Sequence, residues 1–221
     1  MKGLFVTGTD TGVGKTRVAV ALIHALRAQG RRVAAMKPVA AGHAPGEPNE
    51  DVVALMHAAN VAADIRDVNP YAFAPAIAPH IAAAQAGVRV DLKVIAAAYA
   101  RLAAQADGVV VEGAGGWRVP LNEHDDMADL AQALDLSVVL VVGLRLGCLS
   151  HAMLTAESIV RRGVRWVGWV GNAIDPDMAC PAENIETLRI RLPVPCLGIH
   201  SYQPVEDLAT HIPESLALPD L

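Results

Sequence analysis

The chain has 221 residues and a formal net charge of -5, with 53% hydrophobic residues but only 4% aromatic ones. A core of small aliphatic side chains favours helices packed on a buried parallel sheet over an all-β sandwich. The acidic balance, without any basic run, argues against nucleic acid and membrane partners and favours small molecules. At this length we expect one domain over residues 1–221.

Cysteine usage and hydropathy indicate the compartment. The 3 cysteines are far apart, so they form neither a metal-binding pair nor an even disulfide framework. The chain runs from Met1 into an apolar strand without the sections of a secretory signal. No apolar stretch approaches the ~20 residues that cross a bilayer. We therefore expect a cytoplasmic protein.

The first elements predict a β-α-β unit. Residues 4–7 are apolar and end at Gly8, and apolar residues recur with helical spacing from Thr16 onward. Gly30 supplies a helix stop, and a second buried strand, residues 33–36, ends at Lys37.

Further strands and helices alternate along the chain. The predicted strands are residues 108–111, 137–142, 166–170 and 195–199. The predicted helices are residues 51–59, 92–105, 128–134, 150–162 and 181–191. The alternation predicts an α/β fold with a mostly parallel sheet, helices on both faces, and ligands at the carboxyl ends of the strands. Residues 41–48 and 69–79, rich in Ala, Gly and Pro, are predicted as loops at the active-site rim.

The strongest functional signal is the glycine loop at residues 8–16, between the first strand and the first helix. Its backbone N–H groups, including those of Gly12, Val13 and Gly14, would face a polyphosphate at the helix N-terminus. Lys15 would contact the β and γ phosphates and the Thr16 hydroxyl would bind Mg²⁺. Five residues separate Gly8 from Gly14, where the usual phosphate loop has four. The alternative is an ordinary strand–helix turn.

Three charged residues lie near the same edge of the predicted sheet. Glu112 ends an apolar strand before a glycine-rich loop and is a candidate magnesium ligand; otherwise it caps the next turn. Lys37 could neutralise a transferring phosphoryl group, or be a solvated strand-end lysine. Asp51 by itself is best interpreted as an N-cap or first-turn acid. Residues 147–150 form another helix N-terminus, suited either to a substrate carboxylate or to capping by Ser150.

Four segments in this order resemble the dethiobiotin synthetase family. They are TGTDTGVGKT at residues 7–16, KPVA at residues 37–40, VEGAGGW at residues 111–117, and VGLRLGC with HAMLT at residues 142–148 and 151–155. The resemblance implies a P-loop NTPase-like fold and a homodimeric enzyme of biotin biosynthesis. Such an enzyme uses 7,8-diaminopelargonic acid, CO₂ and MgATP to form dethiobiotin, ADP and phosphate.

The resemblance also implies roles for matched positions. Lys15 and Lys37 would hold the phosphates and a substrate carbamate, with Thr11 hydrogen-bonded near the reacting groups. Thr16, Asp51 and Glu112 would serve the metal. Ala41 stands where the family often has a serine beside the substrate. The backbone amides of Gly147, Cys148 and Leu149 would bind the substrate carboxylate across the dimer. Asn172 would recognise the amino edge of adenine. His200 replaces a family proline, which leaves base preference open.

Two other classes remain as alternatives. A P-loop switch protein of the partitioning type would carry an extra lysine early in the glycine loop, and residues 8–14 contain none. A ligase that activates a carboxylate for amidation is the second alternative, although no glutaminase segment with a Cys-His pair is apparent.

Overall fold

The computed structural model of the protein describes residues 3–44, 46–203 and 216–218. Its strands are β1 (Gly3–Gly8), β2 (Val33–Met36), β3 (Val39–Ala41), β4 (Tyr71–Phe73), β5 (Gly108–Glu112), β6 (Ser137–Leu144), β7 (Trp166–Ala173) and β8 (Cys196–His200). Its helices are α1 (Lys15–Ala28), α2 (Glu50–Ala58), α3 (Ile65–Val68), α4 (Pro79–Gln85), α5 (Leu92–Ala103), α6 (Met127–Ala133), α7 (Cys148–Arg162) and α8 (Pro181–Arg191). None of the helices in these ranges combines the length and the apolarity needed to cross a membrane.

The main sheet has six strands in the order β2-β5-β1-β6-β7-β8. Every neighbouring pair in it runs parallel. The chain leaves β1 toward β2 on one side and leaves β6 toward β7 on the other. Open α/β sheets bind ligands beside such a switch point, at the carboxyl ends of the strands. The predicted α/β class with a mostly parallel sheet is confirmed.

The central strands bury side chains on both faces, because successive residues of a strand point to opposite sides. Leu4 and Val6 of β1 belong to one core layer, together with Val18 and Leu22 of α1. Phe5, between them, belongs to the opposite layer, which contains side chains of α5, α6 and α7. Helices therefore cover both faces of the sheet, as the alternation predicts.

A second, small sheet occupies segments that the sequence predicts as loops. β3 and β4 pair in parallel, with Ala41 opposite Phe73. The loop prediction is therefore wrong at β4 and at Ala41, the last residue of β3. Strands of 3 residues are too short to show an alternating pattern. This pairing fixes one side of the site described below.

Several helices begin earlier than predicted, and two of these differences, at α2 and α7, concern candidate site residues. The N-cap of α2 is Asn49, whose side chain accepts a hydrogen bond from the backbone N–H of Asp51 over 3.1 Å. Asp51 is thus a first-turn residue and leaves its carboxylate available. α7 begins at Cys148 after Gly147, which takes a left-handed φ of 93°. The alternative that Ser150 caps this helix is therefore wrong.

Candidate active site

The loop between β1 and α1 has the backbone geometry of an anion cradle. Gly12 and Gly14 take φ angles of 73° and 84°, which side chains disfavour. Gly14 is also the N-cap of α1, and no side chain caps this terminus. The first-turn N–H groups therefore remain available to an anion. The side chain of Val13 is buried in the core, so this residue can contribute to the loop only through its backbone.

Lys15 curls back over this loop. Its Nζ donates a hydrogen bond to the carbonyl oxygen of Asp10 over 2.9 Å. Burial lowers the pKa of Lys15 to about 8 and outweighs the opposing effect of the Glu112 charge. A nearby phosphate would stabilise the charged form of such a desolvated ammonium group. A polyphosphate bound at this loop would therefore favour the charged form of Lys15.

Four polar side chains meet at the carboxyl edge of the sheet. Lys37 follows β2, Glu112 ends β5, and Thr16 and Asp51 lie in the first turns of α1 and α2. The Thr16 hydroxyl donates to Glu112 Oε1 over 2.9 Å, and Lys37 Nζ donates to the same oxygen over 2.7 Å. Lys37 Nζ also donates to Asp51 Oδ2. The parallel order β2-β5-β1 brings these chain segments together.

The charges in this cluster fix the protonation of Lys37, which is only 5% exposed. Burial acts to lower the pKa of Lys37, but the charges and hydrogen bonds of Glu112 and Asp51 outweigh it and raise the pKa. Burial raises the pKa of Glu112. Burial also acts to raise the pKa of Asp51, but Lys37 outweighs this and lowers it. Lys37 is thus a fixed cation rather than a general base.

The oxygen atoms of the cluster fit a magnesium ion. Glu112 Oε2 is buried and has no hydrogen-bond partner among the described residues. It lies in the same cluster as the Thr16 hydroxyl and the Asp51 carboxylate. No group of three or more His, Cys, Asp or Glu side chains suited to a metal occurs in the described ranges. Mg²⁺ is usually bound through one or two carboxylates together with phosphate oxygens and water, so two carboxylates and a hydroxyl are an adequate set.

These groups line one cavity of about 1140 Å³. Thr11, Gly12 and Gly14 of the loop contribute to its wall, and Ala41 and residues 76–79 form another part. The small β3–β4 sheet positions Ala41 there. Ligand pockets commonly have volumes of about 300–1,000 Å³. The cavity is therefore large enough for a ligand of nucleotide size.

Another group of lining residues includes positions that sequence reasoning missed. Asn172 of β7 lines the cavity together with Arg17, Tyr202 and Gln203. Arg17 follows Thr16 directly and is only 8% exposed. No local signal in the sequence marks Arg17, because it follows Lys15 and Thr16 in a polar first turn of α1.

Gly147, Cys148 and Leu149 do not contribute to the cavity lining. They form the start of α7, and Cys148 is buried. Arg145, to which the sequence assigns no role, connects this region to the phosphate loop through an ion pair of 2.6 Å with Asp10. The structure thus separates these predicted substrate-binding amides from the cavity of their own chain.

Comparisons with known proteins identify the family. A family model described as an AAA domain matches residues 2–207. A protein of Nitrosospira multiformis named ATP-dependent dethiobiotin synthetase BioD is 53% identical over 206 residues, or 93% of this chain and 91% of that protein. The chain belongs to the dethiobiotin synthetase family. A second dethiobiotin synthetase, from Xanthomonas euvesicatoria, is 52% identical over 208 residues and 93% of each chain. The resemblance predicted from the four motifs is confirmed.

Solved structures show that the chain shares its fold with proteins of other names. The MinC:MinD cell division protein complex of Aquifex aeolicus aligns with a TM-score of 0.59 and 15% identity, covering 93% of this chain and 83% of that chain. A ParA family ATPase of Chlorobium tepidum aligns with a TM-score of 0.53 and 14% identity, covering 91% and 84%. At these identities the likeness concerns the fold alone. The P-loop NTPase-like fold is confirmed.

Proposed function

We propose that the protein closes the ureido ring of dethiobiotin from 7,8-diaminopelargonic acid and CO₂, while ATP becomes ADP and phosphate. The names and identities of its relatives support this activity. The observation that carries the proposal is the position of Lys37, which bonds Asp51 and Glu112 in the cavity that also contains Lys15 and Thr16. A fixed cation there can stabilise charge on a transferring phosphoryl group.

The reaction divides into three balanced steps. One substrate amine attacks CO₂ and loses a proton, which gives a carbamate. A carbamate oxygen then attacks the γ phosphorus of ATP, and ADP leaves. The second amine attacks the carbonyl carbon of the resulting carbamic-phosphoric anhydride, which closes the ring and expels phosphate. No step requires a protein nucleophile, so positioning and charge stabilisation account for the catalysis.

The proposed roles follow from placement and charge. Backbone N–H groups of Gly12, Val13 and Gly14 bind phosphate oxygens, and Lys15 contacts the β and γ phosphates. Lys37, held in its charged form, binds the carbamate and the transferring phosphoryl group. Thr11 is exposed on the cavity wall, where its hydroxyl hydrogen-bonds near the reacting groups. Ala41 adjoins the substrate without a hydroxyl to offer.

Thr16, Asp51 and Glu112 would hold Mg²⁺. The ion would neutralise phosphate charge during transfer. The buried, unpartnered Oε2 of Glu112 supports this assignment. Asp51 and Glu112 accept hydrogen bonds from Lys37 and are also the proposed magnesium ligands, so each carboxylate would interact with two cations. Their combined negative charge offsets the positive charge gathered around the phosphates.

A homodimer completes the proposed site. The amides of Gly147, Cys148 and Leu149 open α7, whose N-terminus has no side-chain cap, and they would bind the substrate carboxylate of the partner subunit. Their absence from the cavity of their own chain supports this arrangement. Leu146 and Leu154, 94% and 64% exposed, offer apolar surface in the same region. We further propose that the chain forms one cytoplasmic domain without nucleic-acid or membrane partners. Asn172 accepts a hydrogen bond from the adenine amino group.

The decisive experiment supplies the purified protein with 7,8-diaminopelargonic acid, carbon-13-labelled bicarbonate and MgATP. We expect dethiobiotin with one labelled carbon by mass spectrometry, and one phosphate released per ring formed. Omission of the diamine or of bicarbonate should abolish both products. A protein that instead releases phosphate only with a carboxylate and an ammonia donor is an amide-forming ligase, and the proposal is then wrong.

A further inference from the structure

Arg17 is a buried arginine, only 8% exposed. It lies in the first turn of α1, next to Val18 and Ala19, which are fully buried. Its Nη1 donates to Asn172 Oδ1 over 3.3 Å and to the carbonyl oxygen of Ser201 over 2.8 Å. The proposed chemistry assigns Arg17 no role, although it lines the same cavity. A buried charged group with long-range partners in a ligand cavity requires an explanation.

The first consequence of Arg17 concerns the orientation of the Asn172 amide. Asn172 Nδ2 donates to the carbonyl oxygen of Val13 over 2.9 Å. A carbonyl only accepts hydrogen bonds and a guanidinium only donates them. The two neighbours therefore require the same orientation, with Nδ2 toward Val13 and Oδ1 toward Arg17. A rotated amide would lose both hydrogen bonds.

The second consequence concerns the chain after β8. The bond to Ser201 attaches this segment to α1, and the next two residues, Tyr202 and Gln203, both line the cavity. Gln203 Oε1 is buried and has no hydrogen-bond partner among the described residues. Asn172 and Gln203 both line the cavity, and each has a side-chain amide oxygen. Amide oxygens accept hydrogen bonds from an amino group and disfavour a keto oxygen.

We propose that Arg17 is a positioning residue for base selection: it orients Asn172 and holds Gln203 so that this region accepts a base with an exocyclic amino group and rejects the keto analogue. The inference rests on the proposed use of ATP and adds a determinant within α1. Arg17 acts through Asn172 and the Ser201 carbonyl, so the phosphate-binding groups should be unaffected by its loss. Selection against ITP, which differs from ATP chiefly in carrying a 6-keto group, is the property it controls.

The test measures dissociation constants for MgATP and MgITP by calorimetry, without diamine, in wild type, Arg17→Met and Arg17→Lys. ITP lacks the amino group that would donate to the buried amide oxygens, so its binding leaves these acceptors unsatisfied. We therefore expect wild type to bind ATP at least about 10-fold more tightly than ITP. Arg17→Met keeps the aliphatic stem but no donor, so its ratio should fall below about 3-fold, chiefly through weaker ATP binding. Arg17→Lys retains a cationic donor and should keep an intermediate ratio.

Each outcome separates the possibilities. Equal affinity of wild type for ATP and ITP overturns the inference, whether or not the variants fold. A folded Arg17→Met protein that weakens both nucleotides equally also overturns it, because that result indicates a structural role. A higher ratio of ATP affinity to ITP affinity in Arg17→Met than in wild type would do the same. Failure of wild type to form dethiobiotin, with the binding ratios as expected, would sink the proposed function and leave the base selection standing.

Discussion

The hydroxyl of Thr16 and the carboxylate of Glu112 are joined by a hydrogen bond of 2.9 Å, although 96 positions separate them in the chain. Thr16 opens the helix after the phosphate loop, whereas Glu112 ends the strand next to β1. Their contact joins the phosphate end of the cavity to the acids that hold Lys37. Substitutions on the two sides of this contact should therefore differ in their effects on magnesium affinity, nucleotide affinity and kcat.

Asp51→Asn should weaken the magnesium dependence of the reaction. Changes to partners around a metal typically cost about 10- to 100-fold in metal affinity, and we expect the Mg²⁺ concentration for half-maximal rate to rise by at least about 10-fold. Glu50→Gln is the matched control, because Glu50 is an exposed acid in the same first turn of α2. Titrating Mg²⁺ at fixed ATP provides the measurement. Equal half-saturation values for the two variants would leave Asp51 as a partner of Lys37 only.

Lys37→Met should reduce kcat by about 100-fold or more, because the fixed cation acts on charge that develops in the transition state. Binding of MgATP should change much less, since the phosphate loop keeps its backbone and Lys15. Turnover and calorimetric nucleotide binding should be measured on the same preparation. Lys93→Met, at an exposed position near the start of α5, is the control. If ATP affinity and kcat fell in parallel, Lys37 would be a nucleotide-binding residue rather than a transition-state cation.

The sequence predicts that Lys37 and Glu112 lie at the same edge of the sheet, because the carboxyl ends of parallel strands lie together. Lys37 and Glu112 follow or end adjacent strands, so their side chains must emerge at the same edge. An apolar run followed by an acid and several glycines is sufficient to predict that Glu112 lies at the carboxyl end of a strand. The small sheet of β3 and β4 escaped prediction, since its strands contain only 3 residues each and depend on each other for pairing.

Arg17 escaped prediction for a different reason. Its two hydrogen-bond partners, Asn172 and Ser201, are 155 and 184 positions away in the chain. Nothing in the local spacing distinguishes it from an arginine on an exposed helix face. Its interpretation depends on the position of β7 and β8 relative to α1, which only the assembled sheet provides. The same holds for the ion pair of Arg145 with Asp10, 135 positions apart.

The junction of α6 and α7 should make stability depend on acid pH. Burial acts to raise the pKa of Asp129, but hydrogen bonds from the Asp126 backbone N–H and from Arg162 outweigh it and lower the pKa. A carboxyl whose pKa is lower in the folded state stabilises the fold above its unfolded pKa, about 3.9, and loses this effect as pH falls through the folded value. Tm should therefore fall less between about pH 6 and 3 in Asp129→Asn than in wild type.

The control for this prediction is Glu157→Gln. The ion pair of Glu157 with Arg161 is long, at 3.9 Å, and its side chains are 63% and 82% exposed. Exposed pairs of this kind contribute little to stability, so the dependence of Tm on pH should match that of wild type. An Asp129→Asn protein with the slope of wild type would show that other carboxyl groups determine the acid transition.

Gly14→Ala should destabilise the protein more than Gly12→Ala, even without nucleotide. Both glycines have left-handed φ angles, 84° and 73°, so each substitution carries a similar backbone cost of about 1 kcal/mol. A Cβ at Gly12 would meet no atom within 4 Å, whereas one at Gly14 would lie 2.0 Å from Asn172 Nδ2. Asn172 would have to move, losing its bond to Val13. We expect an additional loss of about 1–3 kcal/mol in the free energy of unfolding.

A double-mutant comparison determines whether the additional cost of Gly14→Ala arises from Asn172. Chemical denaturation gives the free energy of unfolding for each substitution in wild type and in an Asn172→Ala background. Removing the amide removes the clash, so in that background Gly14→Ala should cost no more than Gly12→Ala. If the difference between the two alanine variants persisted without the Asn172 amide, the requirement for glycine at position 14 would arise from the loop itself. If the difference disappeared, the close contact between Gly14 and Asn172 would explain why position 14 requires glycine.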